Sequence, residues 1–165
     1  MKRILYSLLL STLMLVGCTG SDKMPVITDA SLDRFGGIGF AEDGKAITYA
    51  TLTVDYVSPS PKQIEIMNVL GAVRSKEGKL IATITMPEGD VIAVKPESEG
   101  SVTQTFNVKM EGSLLRMVAG GLSSFKNGTL DVEADIHYGK RNKHFSKRGI
   151  PIEDIIRKYQ IKSDR

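Results

Sequence analysis

The chain has 165 residues, of which 22 are lysine or arginine and 19 aspartate or glutamate, with two histidines, one cysteine and no tryptophan. One cysteine excludes an internal disulfide and a cysteine-rich zinc site, so the fold has to rest on its apolar core. Charge excludes a nucleic-acid binder: without Lys2 and Arg3, which sit in a cleavable leader, 20 basic residues face 19 acidic ones.

That leader is residues 1–17. Lys2 and Arg3 come first, then an apolar run from Ile4 to Val16 broken only by Ser7, Ser11 and Thr12, then the small residues Gly17 and Cys18. Charged, apolar and small segments in that order are the layout of a secretory signal. The run is short for a permanent span, which takes roughly 20 apolar residues. Leu15-Val16-Gly17-Cys18 resembles the bacterial lipobox, which implies cleavage before Cys18, a diacylglyceryl thioether on its sulfur and acylation of the freed amine. An ordinary buried cysteine is the alternative, but this one closes a complete signal pattern. Two acyl chains suffice for stable anchoring, so the expected partner is a membrane, held through Cys18. The expected location is the cell envelope outside the cytoplasm, at the periplasmic face or outer membrane of a Gram-negative cell.

Cleavage leaves 148 residues, the size of one domain with one core. Residues 18–25 form the acylated cysteine and a polar spacer, and 26–165 a single domain. Gly36-Gly37-Ile38-Gly39 lacks the lysine and hydroxyl residue of a phosphate loop and reads as a bend between strands.

Ala46 to Val57 is rich in β-branched and aromatic residues, with Leu52, Val54 and Tyr56 alternating against Thr51, Thr53 and Asp55. Period two predicts a strand, stopped at Ser58-Pro59-Ser60-Pro61 because proline cannot donate to a ladder. Ile64 to Val73 and Leu80 to Met86 form a predicted hairpin around the Gly78 loop, and Val91 to Val94 and Val102 to Met110 two further strands, separated by a polar turn over Pro96 to Gly100. Leu114, Met117, Val118, Leu122 and Phe125 recur at helical spacing behind Ser113, a plausible N-cap, and predict a short helix weakened by Gly120 and Gly121.

Thr129 to Tyr138 alternates Leu130, Val132, Ala134, Ile136 and Tyr138 against Asp131, Glu133 and Asp135, a half-buried strand. A basic loop, Gly139 to Lys143, leads to a partner strand from His144 to Ile150, and Ile152 to Tyr159 predicts a last helical turn. About seven short strands with turn chemistry between them predict an all-β antiparallel sandwich of the immunoglobulin and fibronectin III kind, with one or two short helices.

The features carried by Val57-Ser58-Pro59-Ser60-Pro61, Leu80-Ile81-Ala82 after a hairpin, Val94-Lys95-Pro96 before Ser101, the helix-like Leu114 to Phe125, Gly128 and a final strand pair closing on Ile150-Pro151-Ile152 resemble, in order, the second-group late embryogenesis abundant family. That family is also described as the water-stress and hypersensitive-response domain. The resemblance covers residues 26 to 152, with Ser58 where the family pattern has asparagine. It implies a seven-stranded sandwich in a family with no established catalytic residues.

No catalytic constellation is present. Ser146 and His144 are neighbours on one strand face without a third group or a glycine-flanked serine. His137 and His144 flank the basic loop, and His137 shares a face with Asp131, Glu133 and Asp135; a solvated strand face is a better reading than a metal site. Asn127-Gly128-Thr129 reads as a turn. Neither cofactor nor metal is implied. The remaining candidate is the basic cluster Lys140, Arg141, Lys143, Lys147 and Arg148, suited to anionic lipid or to an envelope protein, with edge protection as the plain alternative. The expected function is a non-enzymatic, membrane-anchored binding or structural module of the envelope; the competing one is a carrier or sensor of a small apolar or lipid ligand held between the sheets.

Overall fold

The structure, a computed structural model, describes residues 25–111 and 127–154. Eight strands run through them: β1 (Val26–Phe40), β2 (Ala46–Ser58), β3 (Ile64–Arg74), β4 (Leu80–Thr85), β5 (Ile92–Val94), β6 (Ser98–Met110), β7 (Thr129–Tyr138) and β8 (Arg141–Pro151). All pair antiparallel in one sheet of order β1-β2-β6-β4-β3-β7-β8, with β5 beside β3. The all-β, antiparallel expectation therefore holds.

Alternation explains the strands. On β2, Ala50, Leu52, Val54 and Tyr56 are buried while the residues between them are half exposed, and β7 repeats the pattern with Leu130, Val132, Ala134 and Ile136. Except for Val54, these side chains belong to one core cluster with Ile64, Ile66 and Val73 of β3, Ala82 and Ile84 of β4, and Phe106 and Val108 of β6. A flat sheet cannot close one face against itself, so the sheet curls until its two halves share that core. The halves join where Ala82 to Thr85 of β4 pair with Met110 to Asn107 of β6, a junction of four residue pairs. Tyr56 is buried, and its hydroxyl accepts the Lys95 backbone N–H at 3.1 Å.

Four expectations change. The eighth strand is β1, which the sequence hides because it pairs with β2 through three register shifts and contains Gly36, Gly37 and Gly39. The glycines are a bulge inside β1, not a bend between strands. Gly37 has φ 79°, and the Tyr49 ring lies close enough that a Cβ on Gly37 would come within 3.2 Å of it. The turn before β6 is shorter than Pro96 to Gly100: Ser98, Glu99 and Gly100 already pair with Ser58, Val57 and Tyr56. The basic loop shrinks to Gly139-Lys140, because Gly139 adopts φ 61°, as the first position of a two-residue hairpin turn requires, and Arg141 pairs directly with Tyr138.

The 114–125 helix, the leader, Cys18 and the spacer up to Met24 lie outside the described residues. Of the last predicted helix, Ile152 to Asp154 are helical and the rest lies outside; Ile152 is buried and donates its N–H to the Gly128 carbonyl at 3.1 Å.

Candidate functional site

β8 and the turn before it carry the basic cluster, and β8 forms one end of the sheet, pairing only with β7 among the described residues. Its register decides which way each cation points. Lys143 is opposite Ile136, Phe145 opposite Ala134 and Lys147 opposite Val132, so these three lie on the core side of the edge. Phe145 packs against the core, while Lys143 and Lys147 on either side of it are exposed. Inward-facing lysines on an edge strand hinder the pairing of another strand.

Past Lys147 the alternation breaks. Asp131 accepts the Gly149 N–H at 2.8 Å and the Arg74 Nε–H at 3.0 Å, and Gly149 takes φ 69°. This bulge brings Ile150, rather than Gly149, opposite Leu130. Arg148 is left on the outer surface, 78% exposed, with a guanidinium nitrogen 3.7 Å from Glu133. The five cations are therefore not one patch. Lys140 and Arg141 sit at the turn, Lys143 and Lys147 on the core side of the edge, and Arg148 near the other end. Among the described residues no ion pair holds Lys140, Arg141, Lys143 or Lys147.

The outer face of β7 brings the acids and histidines together as the alternation predicted. Asp135 accepts the Asn68 amide N–H at 2.8 Å through one oxygen, and its other oxygen lies 2.8 Å from His144 Nδ1. Asn68, then His144, hold its carboxyl below the usual carboxylate range. Asp131 is lowered as well: desolvation pushes it up, and the Gly149 and Arg74 hydrogen bonds outweigh that push. His137 Nδ1 lies 4.0 Å from Glu65, outside hydrogen-bond reach, and Ser146 pairs in register with Glu133 beyond His144. The two histidines thus stand beside different acids on one face, and only His144 is hydrogen-bonded to its acid. Among the described residues no three metal-ligating side chains converge, and no helix is long and apolar enough to cross a membrane.

Two participants escaped the sequence reading. Asn68 has φ 52° in a bulge of β3, where pairing with β7 skips from Met67 to Leu70. Its signal was an asparagine inside an apolar run, since asparagine tolerates that backbone region. Lys62 lies at the basic turn: a Cβ on Gly139 would meet its Cδ at 2.8 Å, and its Nζ stands 5.7 Å from the centre of the Tyr138 ring. At the opposite end of the sheet, Ile38 and Phe40 are 76% and 75% exposed.

No family model matches the chain, and no curated protein does. Among solved structures it is similar to a protein from Archaeoglobus fulgidus, at 15% identity and a TM-score of 0.41 over 75% of this chain and 94% of that one. It is also similar to a Northeast Structural Genomics Consortium target, at 7% identity and a TM-score of 0.36 over 76% of this chain and 81% of that one. A β-glucuronidase of glycoside hydrolase family 2 matches at 12% identity and a TM-score of 0.32, with 77% of this chain covering 11% of the enzyme.

Proposed function

We propose that the chain is a lipid-anchored, non-enzymatic module of the bacterial cell envelope that binds an envelope partner or serves a structural role. The observation that carries this reading is Leu15-Val16-Gly17-Cys18 at the end of a charged-then-apolar leader. The acids of β7 support the non-enzymatic part. Asp131 joins β7 to Arg74 of β3 and to the β8 backbone, and Asp135 joins it to Asn68 and His144, so both serve to hold strands together. Phe106, Leu52, Ile64, Leu130 and Val132 are shut off from solvent in the core, which favours a binding or structural role over a carrier of an apolar ligand.

The same reading takes the two halves of the curled sheet, β1-β2-β6 and β4-β3-β7-β8, as the layers of an immunoglobulin or fibronectin III-like sandwich. The shared core and the short β4–β6 junction support it. A relation to the second-group late embryogenesis abundant family goes with that proposal and rests on the proline and glycine positions alone.

The test is mass spectrometry of the protein extracted from its own membranes, beside Cys18→Ser. The expected N-terminal peptide begins at Cys18 and carries diacylglyceryl and acyl mass, and the serine variant is released from the membrane. An unmodified Cys18 in a membrane-bound protein overturns the reading.

A further inference from the structure

The registers place the basic turn at the same end of the sheet as the tether. Val26, the first residue of β1, pairs with Val57 near the end of β2. The chain then passes through Ser60, whose carbonyl accepts the Glu97 N–H at 2.8 Å, to Lys62, whose stem lies against Gly139. Ile64, the first residue of β3, pairs with Tyr138, and Tyr138 pairs with Arg141. Val26 and the Gly139-Lys140 turn therefore close the same rim.

Seven residues, 19 to 25, separate Cys18 from β1. Fully extended they reach about 25 Å, and as a flexible coil about 15 Å. A lipid anchor at Cys18 would hold that rim within that reach of the membrane surface, against the roughly 10 Å over which charge acts in 0.1 M salt. Its corner carries Lys62, Lys140 and Arg141, all exposed, with Lys143 two residues farther along β8. The acids near the same rim are Glu65, beside His137, Glu97, whose N–H is held by Ser60 two residues before Lys62, Glu99 at the start of β6, and Asp29 and Asp55, each three residues in from the rim ends of β1 and β2. Lys147 and Arg148 are six and seven residues beyond Arg141, or about 20 Å up the strand at about 3.3 Å per residue.

We propose that Lys62, Lys140 and Arg141 form a membrane-facing surface that docks on anionic phospholipid headgroups of the membrane in which the Cys18 acyl chains are anchored. This rests on the lipid-anchor reading and adds an orientation to it. The domain lies with the β7–β8 turn on the bilayer, and the β3–β4 and β1–β2 turns project away from it. Lys147 and Arg148, although part of the same basic run in the sequence, take no part.

The experiment uses the full lipidated chain with one added thiol for a fluorophore, at Asn142→Cys near the rim or Lys76→Cys at the far end, in vesicles containing a headgroup quencher. In phosphatidylcholine mixed with phosphatidylglycerol, the Asn142 probe is expected to be quenched and the Lys76 probe spared. In phosphatidylcholine alone, or in molar salt, the difference disappears. Lys140→Gln with Arg141→Gln is expected to lower the ratio of docked to undocked domain about 25-fold, since each cation near an anionic surface contributes roughly five-fold. Lys147→Gln with Arg148→Gln leaves it unchanged. Equal quenching at both positions in the phosphatidylglycerol-containing vesicles, by a chain that also floats with neutral vesicles, overturns the docking surface alone. A chain that does not float with neutral vesicles overturns the anchor and the docking surface together.

Discussion

β1 and β8 end the sheet on opposite sides, and each leaves an unpaired strand edge among the described residues. β8 guards its edge with charge: Lys143 and Lys147 stand beside Phe145 on the core side, and Arg148 lies on the outer side. β1 guards its edge with geometry, through three register shifts and a glycine bulge under Tyr49, and leaves Ile38 and Phe40 exposed near its far end. An exposed edge is a template for further strands unless bent or charged. The two devices respond to different perturbations, one to side-chain chemistry and one to backbone strain.

The largest effect tests what β8 is fastened to. Leu130 is fully buried on β7 opposite Ile150 of β8. Leu130→Ala is expected to lower unfolding free energy by about 2–5 kcal/mol in denaturant titration. A smaller loss would mean that the β7–β8 corner relaxes around the cavity. Next is the geometric edge: Gly37→Val puts a branched side chain at φ 79° against Tyr49 and is expected to cost roughly 1–3 kcal/mol. The same experiment at Gly44, which also has positive φ but has open space around it, separates backbone strain from the clash with Tyr49.

Acid then compares the two sides. Asp131 and Asp135 on the β8 side, and Asp33 on the β1 side, where Thr53 and then Ser31 donate to it, all have folded-state pKa values below their unfolded ones. A depressed carboxyl adds stability that is fully present above its unfolded value, near 3.9, and is lost as pH falls through the folded value. Unfolding midpoints measured from pH 6 downward should therefore hold until about pH 4 and then drop. Asp131→Asn should flatten that drop and lower the plateau; an unchanged pH profile would show that the Arg74 and Gly149 contacts do not hold the carboxylate in solution. The smallest effect on folding belongs to the charged edge. Lys143→Val with Lys147→Val should change stability by less than about 0.5 kcal/mol yet raise self-association in sedimentation. A stable variant that stays monomeric would remove edge protection as the role of those lysines.

The contrast also explains what could be seen in advance. β2 and β7 were legible because each buries one face, and burial writes period two into the residue types, as in Leu130, Val132, Ala134 and Ile136. β8 was half legible: its end was read to within one residue of Pro151 despite the bulge at Gly149, but its start at Arg141 was hidden by the positive φ of Gly139. β1 was not legible, since a bulged edge strand with three glycines satisfies no fixed period. For the candidate site, the sequence shows five cations in nine residues but not their faces. Faces follow from register, and register was set by the two-residue turn and by the Asp131 contact with the Gly149 backbone. Lys62 is distant in sequence and joins the cluster only through the packing of the β2–β3 loop on the turn.

The long register between β2 and β6 carries a kinetic consequence. Ser58 pairs with Ser98 and Ile47 with Lys109, so the central ladder joins residues 40 to 62 positions apart, whereas the β1–β2, β3–β4 and β7–β8 hairpins close over short loops. Loops that large are entropically costly to close before any contact rewards them. Refolding should thus run on the millisecond-to-second scale of non-local β proteins, with the hairpins forming before β6 docks between β2 and β4.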